Sequence, residues 1–311
     1  MNIYYSVDDF PKNVKTVVTM GTFDGVHSGH QKILSQISQI AKRKNLQSVL
    51  LTLNPHPRHV LYPEDQNLRL IDNLEEKINK LKKTNLDHLV VQKFSKQFSR
   101  IDSIHFIRDF LINKLNMCFI IVGFDHHFGK NREGTYQNLI DLSKLYGFEI
   151  REIKAHIVDQ VTVSSTKIRL AIQKGDIVTA NKYLSSFFSI SGKIVKGKQL
   201  GTKIGFPTAN ISLNGEWKIL PRNGVYAVIV YLKNQKHFGM LNLGVKPSFK
   251  TTSFSIEVHI FNFEGQVYNE EIKVDFVDRI RDEKKFDSIE SLRKQLKKDL
   301  INSKLVMRLN I

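Results

Sequence analysis

Two histidines in a glycine-rich stretch give this chain its clearest chemical signal. His27 and His30 follow the apolar run 17–20 and share a turn with Gly21 and Gly25. Apolar residues then recur at helical spacing, which predicts a strand, a tight loop and a helix. Such a loop presents backbone N–H groups to a phosphate, and two imidazoles one turn apart add oriented donors. We therefore predict a phosphate-binding site; the alternative is an ordinary turn with two surface histidines.

A hydroxyl-rich sequence opens another predicted helix. Ser164, Ser165 and Thr166 stand at its start, and Arg169 lies about one turn inside it. Hydroxyl groups, N–H groups at a helix start and a guanidinium together suit an oligophosphate. The alternative is an ordinary N-cap followed by a surface arginine.

A third candidate site lies in the last third of the chain. Thr208 and Asn210, in the sequence PTAN, supply a hydroxyl and an amide, which are hard oxygen donors suited to Mg²⁺. On the predicted strand 254–260, the apolar residues share one face, so Glu257 points to the other. The pattern alone leaves open whether Glu257 is a reactive carboxylate or a solvated one.

The elements that position these residues fall into two groups. Strands alternate with helices in the first part, with apolar runs at 17–20, 48–53, 88–91 and 119–122, which predicts a Rossmann-like parallel sheet. Loops at the carboxyl ends of such strands bind ligands, and two of these loops hold Asn54 and Asp125. A helix with a charged outer face is predicted over 74–81, and another after Asp102 or Ser103.

From residue 190 the pattern changes to strands without intervening helices, which predicts an antiparallel barrel. A last helix is predicted near residue 289, begun by a capping box of Asp287 and Glu290. The boundary is predicted near residues 185–189, which gives domains of residues 1–186 and 187–311.

Composition limits the class of protein. The net charge of +17 is spread over both halves without a nucleic-acid-binding motif, so no nucleic-acid partner is expected. The longest apolar run is too short to span a bilayer, so no membrane partner is expected. The single cysteine, Cys118, excludes an internal disulfide and is predicted to be a buried structural thiol; we expect a reducing, cytoplasmic location.

The chain resembles the bacterial bifunctional riboflavin kinase/FMN adenylyltransferases, the prokaryotic FAD synthetases. The resemblance covers almost the whole chain and rests on GTFDGVHSGH, NPHPR, LEEKI, GFDHHFGKNREG and SSTKIR, then on GFPTANI, GVYAV, NLGVKPSF, IEVHIFNFEGQVY and RIRDEKKFDS. It implies a nucleotidyltransferase domain of the HIGH superfamily, then a flavokinase β-barrel with a C-terminal helix. ATP, riboflavin and FMN would be the substrates, with Mg²⁺ as the metal.

For the first domain, the resemblance implies that the phosphate of FMN attacks the α-phosphate of ATP. His27 and His30 would donate hydrogen bonds to the phosphates, and Asn54 and Asp125 would border the flavin. Asp24 either joins the site or caps the turn. The remaining ATP contacts would come from Gly21, Phe23, Gly25, Ser164, Ser165, Thr166 and Arg169.

For the second domain, the resemblance makes Glu257 the general base that accepts the proton of the riboflavin 5′-hydroxyl. Arg279, Arg281 and Phe286 would lie in a segment that closes over nucleotide and flavin. The chain departs from the family pattern at Thr202, where an arginine is usual, so Lys198 or Lys203 is predicted to supply the nucleotide contact.

Two alternatives differ in function. In one, only one of the two sites is active and the other is retained for its fold. In the other, the chain is a basic RNA-binding protein on a nucleotidyltransferase scaffold. The oligomeric state is not predicted.

Overall fold

A computed structural model describes residues 1–123, 127–153, 157–158, 161–197, 200–247 and 252–310. These residues pack into two compact units: Met1–Leu68 with Leu74–Ser164, and Arg69–Asn73 with Ser165–Ile311. Of the predicted site residues, Asp125, Lys198 and the side chain of Lys203 lie outside the description. In the part of the chain described, no helix is long and apolar enough to cross a membrane.

The first unit is built on a parallel sheet. Its spatial order is β1-β4-β3-β2-β5-β6, with every neighbouring pair parallel. From β2 the chain proceeds to one side of the sheet through β3 and β4, and later to the other side through β5 and β6. The crevice between β2 and β5 is therefore a topological switch point, where ligands of open α/β sheets bind. The strands are β1 (Asn2–Tyr4), β2 (Thr16–Met20), β3 (Gln47–Asn54), β4 (His88–Lys93), β5 (Met117–Gly123) and β6 (Glu149–Ile153), followed by the antiparallel pair β7 (Ile157–Val158) and β8 (Val161–Thr162).

An apolar cluster lies on each face of this sheet, and both faces are covered by helices. They are α1 (Ser28–Lys44), α2 (Pro57–Leu61), α3 (Leu74–Leu81), α4 (Ser103–His105) and α5 (Tyr136–Tyr146). Asp102 caps α4, as predicted, by accepting from the His105 backbone N–H at 2.9 Å. The helix predicted after Asp102 or Ser103 is present, but it continues as a π-helix over Phe106–Ile112. Cys118, predicted to be buried, is partly exposed on β5.

The second unit contains a closed barrel of antiparallel strands in the order β10-β13-β12-β11-β14-β9. The largest buried side chains of this unit, Tyr226, Phe188 and Phe276, form an aromatic cluster in it. Both predicted folds are thus confirmed. The elements are α6 (Ser165–Lys174), α7 (Ile177–Leu184), β9 (Phe188–Val195), α8 (Leu200–Lys203), β10 (Ala209–Leu213), β11 (Gly224–Leu232), β12 (Gln235–Pro247), β13 (Thr252–Ile260), β14 (Glu271–Arg281) and α9 (Ile289–Asn310).

The final helix, α9, packs its apolar side chains against Ala227, Ile229 and Met240 of the barrel. Its capping box differs from the predicted one. The Ser291 backbone N–H donates to Ser288 Oγ at 3.1 Å, and the Ser288 N–H donates to Ser291 Oγ at 3.3 Å. The hydroxyls one position further along displace the predicted Asp287–Glu290 pair.

A short segment from the first part of the chain belongs to the second unit. Leu70 forms a parallel bridge with Lys218, and the buried ammonium of Lys218 donates to the Ile71 carbonyl at 2.5 Å. Arg69 lies over the Trp217 ring with its guanidinium carbon 5.3 Å from the ring centroid. No sequence pattern predicted this pairing.

Candidate active sites

The glycine-rich loop leaves β2 at Gly21 and enters α1 at Ser28. Phe23 and Val26, both buried, have positive φ values of 47° and 44°. A left-handed conformation is an outlier for a bulky or β-branched residue, and such strain collects at functional sites. Gly25 needs its lack of a side chain, because its φ is 87°. The loop is therefore a constrained structure held by its packing.

The two histidines are stacked at the start of α1. Their ring centroids lie 3.6 Å apart at 18°, and the ring of Phe23 stacks on His30 at 4.4 Å. His27 is the N-cap, and its Nδ1 accepts from the His30 backbone N–H at 3.3 Å. A neutral His27 therefore carries its proton on Nε2. Nδ1 of His30 has no hydrogen-bond partner among the described residues.

The electrostatic environment keeps His30 neutral. Its pKa lies well below the ordinary 6.5, chiefly because burial disfavours the charged ring and also because of His27 and Lys77. A neutral imidazole offers one donor and one acceptor. His30 thus acts as an oriented, uncharged hydrogen-bonding group near neutral pH.

Two lysines of α3 reach the loop, which the sequence analysis missed. Lys77 Nζ donates to the Thr22 carbonyl at 2.8 Å, and Lys80 Nζ donates to the Gly25 carbonyl at 3.3 Å. The predicted charged outer face is wrong for Lys77 and Glu76, which are buried. The available signal was spacing, because residue 77 falls on the same helical stripe as the leucines at 74 and 81.

The other predicted residues of the first site lie at element ends. Asn54 is exposed at the carboxyl end of β3, and Asp24 is buried within the loop. Ser165 begins α6, with Thr166 exposed beside it and Arg169 partly buried one turn on. Ser164 immediately precedes that helix. The ligand contacts of these residues stay predictions.

In the second unit, a row of polar side chains crosses three barrel strands. Glu257 on β13 stands opposite Asn210 on β10 and Asn242 on β12. Directly opposed residues share a face of the sheet. The neighbours Ile256 and Val258 are buried on the other face, so the predicted orientation of Glu257 is confirmed.

The two oxygens of the Glu257 carboxylate have different partners. Ser255 Oγ donates to Oε1 at 2.8 Å, and Thr208 Oγ1 lies 3.4 Å from Oε2. Oε2 is therefore the oxygen that faces the PTAN sequence. The alternation of the strand places Ser255 on the same face as Glu257, two residues away. Asn242 was not predicted from the sequence.

Two glycines let the backbone pass close to Asn210 and to the residues before Thr208. A Cβ on Gly197 would lie 2.0 Å from Asn210 Nδ2, and one on Gly201 would lie 2.2 Å from the Phe206 carbonyl oxygen. Hydroxyl, amide and carboxylate oxygens meet here, and this donor set fits Mg²⁺. The described residues contain no group of three His, Cys, Asp or Glu side chains suited to a metal. Such an ion would need phosphate oxygens as further ligands.

Two different family profiles match the two parts of the chain. The profile of FAD synthetase matches residues 9–167, and the profile of riboflavin kinase matches residues 184–307. The chain belongs to the bifunctional riboflavin kinase/FMN adenylyltransferase family. A relative of that name from Buchnera aphidicola subsp. Schizaphis graminum is 39% identical over 93% of both chains. Another, from Bacillus subtilis, is 38% identical over 93% of this chain and 91% of its own.

A solved structure shares the whole architecture. A crystal structure from Streptococcus pneumoniae, titled a macrolide-efflux protein, has a TM-score of 0.90 and 32% identity. The match covers 97% of this chain and 98% of that one, so the likeness extends through both units.

Arg279 and Arg281, both predicted to contact the flavin, form hydrogen bonds with other residues of the second unit. Arg281 forms a bidentate pair with the buried Asp299 of α9, its Nη2 lying 2.7 Å from Oδ2. Arg279 Nη2 donates to the Asn223 carbonyl and to Asp282, both at 2.6 Å. The hydrogen bond from Arg279 lowers the pKa of Asp282. A flavin contact from either arginine stays a prediction.

Proposed function

We propose that this chain phosphorylates riboflavin to FMN with ATP and then adenylylates FMN to FAD with release of pyrophosphate. The observation that carries the proposal is the presence of two unlike sites, each within the part of the chain that the corresponding family profile matches. One is the stacked histidine pair at the switch point of the sheet. The other is the Thr208, Asn210 and Glu257 cluster on the barrel.

In adenylyl transfer the protein acts by positioning and by charge stabilisation. The N–H of His27 Nε2 donates to a nucleotide phosphate as negative charge develops on it. His30, stacked between His27 and Phe23, adds a second oriented contact, while Gly21 and Gly25 permit the phosphates to approach the backbone. Ser164, Ser165, Thr166 and Arg169 hold the β- and γ-phosphates of the leaving pyrophosphate, and Asn54 and Asp125 border the flavin.

In the kinase reaction Glu257 is the general base. Its Oε2 accepts the proton of the riboflavin 5′-hydroxyl, whose oxygen then forms the bond to the γ-phosphorus as the bond to the ADP oxygen breaks. Ser255 holds Oε1 and so fixes the rotation of the carboxylate. Lys198 or Lys203 contacts the nucleotide, and Arg279 and Arg281 contact the flavin.

Thr208 and Asn210 would hold Mg²⁺ together with phosphates of ATP. Bound there, the ion would supply positive charge to the phosphate oxygens. The domains of function are residues 1–186 and 187–311. We place the enzyme in the cytoplasm, because its one cysteine excludes an internal disulfide.

The test is a time course with riboflavin, ATP and Mg²⁺, followed by chromatographic separation of the flavins. FMN is expected first and FAD later, and EDTA is expected to abolish FMN formation. Formation of only one flavin would limit the chain to one active site. Formation of neither FMN nor FAD would contradict the proposal. Full kinase activity in the presence of EDTA would contradict the proposed metal site.

A further inference from the structure

We infer that Lys77 is a positioning residue for adenylyl transfer: from α3, its buried ammonium fixes the Thr22 carbonyl and thereby holds the histidine loop in its working conformation. This inference rests on the proposed function of the first site. Lys77 belongs neither to the histidine loop, nor to the hydroxyl-rich start of α6, nor to the positions predicted to border the flavin.

The Thr22 carbonyl has two donors from two different elements. Lys77 Nζ approaches it at 2.8 Å and Thr52 Oγ1 of β3 at 3.3 Å. A carbonyl oxygen has two lone pairs, so these donors fill its hydrogen-bonding capacity. The peptide group between Thr22 and Phe23 is thus fixed from a helix and from the sheet at once.

The burial of Lys77 argues that this contact is specific. Its exposed fraction is 8%, although lysine is among the residues least often buried. A buried ammonium is tolerated where polar groups compensate for its lost hydration. A lysine that served only as a solubilising surface residue would extend into water instead.

The loop beyond Thr22 requires such a restraint. Phe23 takes a φ of 47° and Val26 a φ of 44°, and residues held in this region persist only where the surroundings over-determine them. Phe23 is the first ring of the Phe23–His30–His27 stack. Release of the Thr22 carbonyl would let Phe23 relax, and the two histidines would lose the ring that supports them.

The charge of Lys77 also acts on the histidines. It is one of the causes, after burial and His27, that depress the pKa of His30. Lys77 therefore supplies a fixed positive charge to the site while His30 stays neutral. Lys80 braces the Gly25 carbonyl from the next turn of the same helix at a longer distance.

The experiment compares Lys77→Met, Lys77→Arg and Lys82→Met in the full chain. Lys82, exposed just beyond α3, is the control for loss of one lysine charge. Lys77→Met is expected to lower kcat for FAD formation from FMN by about 10- to 100-fold, as misplacement of reacting groups does. The KM for ATP should change by less than about threefold, and Lys77→Arg should recover part of the rate by keeping a charged donor.

Two readouts in the same proteins separate positioning from loss of folding. Riboflavin phosphorylation should stay within about twofold of wild type, because its residues lie in the other unit. The imidazole NMR signals of His27 and His30 should move in Lys77→Met and stay in place in Lys82→Met. If Lys77→Met fails to fold, Thr52→Val removes the second donor to Thr22 without changing shape, and a few-fold loss confined to FAD formation is expected.

Unchanged FAD formation and unmoved histidine signals in Lys77→Met would overturn the inference, as would equal rates for Thr52→Val and wild type. These outcomes differ from failure of the proposed function, in which wild type itself forms no FAD from FMN.

Discussion

At the scale of single residues, the two carboxylate oxygens of Glu257 have different hydrogen-bond partners. Oε1 accepts from Ser255 at 2.8 Å, and Oε2 faces Thr208 at 3.4 Å. A general base needs a fixed orientation toward the proton that it accepts. Ser255 orients the carboxylate, and our proposal assigns the proton to Oε2, which faces the PTAN sequence.

Glu257→Gln tests this role because it keeps the size and hydrogen bonding of the side chain but cannot accept the proton. Turnover of riboflavin to FMN should fall by about 10²- to 10⁴-fold, with little change in the binding of riboflavin or ATP. Steady-state kinetics and ligand titration give the two quantities. Glu264→Gln, an exposed substitution beyond β13, is the matched control. A loss of only a few-fold would leave Glu257 as a solvated strand residue.

The depressed pKa of His30 predicts how stability depends on pH. The unfolded chain protonates this residue near its ordinary 6.5, whereas the folded chain does so only at lower pH. The unfolded state therefore binds more protons as the pH falls through 6.5, and the free energy of unfolding decreases. The stabilisation is present above that pH and is lost below it.

Urea denaturation of wild type and His30→Asn at about pH 7.5 and about pH 5.5 measures this effect. Wild type should lose more unfolding free energy between the two conditions, because the contributions of the other histidines are common to both proteins. Equal losses would mean that the burial of His30 does not oppose its protonation.

At the scale of elements, a buried ion pair links α9 to the barrel. Arg281 at the end of β14 contacts Asp299, and their side-chain exposures are 13% and 0%. Gln295, one turn earlier on α9, donates to the same carboxylate at 2.9 Å. Such a pair need not add stability over an apolar one, but loss of one partner leaves a buried charge uncompensated.

Asp299→Asn should therefore lower the free energy of unfolding by roughly 3 kcal/mol. Glu290→Gln, an exposed substitution in the first turn of the same helix, should have little effect. Chemical denaturation of the second unit measures both. A change of less than about 1 kcal/mol in Asp299→Asn would show that the carboxylate is dispensable for attachment of α9.

The elements that could be predicted are those with a strong local pattern. The strands β2, β3, β4 and β5 are continuous apolar runs, and their burial on both faces of the sheet explains why. Other elements carry little such signal: β6 is an edge strand with mostly exposed residues, and β12 contains Gly239 and Gly244. The π-helix after α4 is equally invisible to a 3.6-residue period.

The residues of the candidate sites divide in the same way into predictable and unpredictable ones. The two histidines are close together in the sequence, and so are the residues of PTAN, so each group could be predicted from the sequence alone. Lys77 and the segment 69–73 act through contacts distant in sequence, which only the packing of the fold reveals. A lysine on the apolar stripe of a helix is the kind of local inconsistency that marks such a contact.

At the scale of the whole molecule, the chain holds two compact units with separate apolar cores. The histidine loop lies in the first unit, and the Thr208, Asn210 and Glu257 cluster lies in the second. Damage to one of these two clusters should therefore leave the chemistry of the other intact. The product of the kinase step is the substrate of the adenylyl transfer, so FMN released by one molecule can serve another.

The most direct test combines two variants, His30→Ala and Glu257→Gln, with riboflavin, ATP and Mg²⁺. His30→Ala alone should accumulate FMN without FAD, and Glu257→Gln alone should form little FMN but convert supplied FMN to FAD at the wild-type rate. Mixed together, the two should produce FAD from riboflavin after a lag. A folded single variant that loses both activities equally, or a mixture that forms FMN but no FAD, would contradict the assignment of the two reactions to two separate sites.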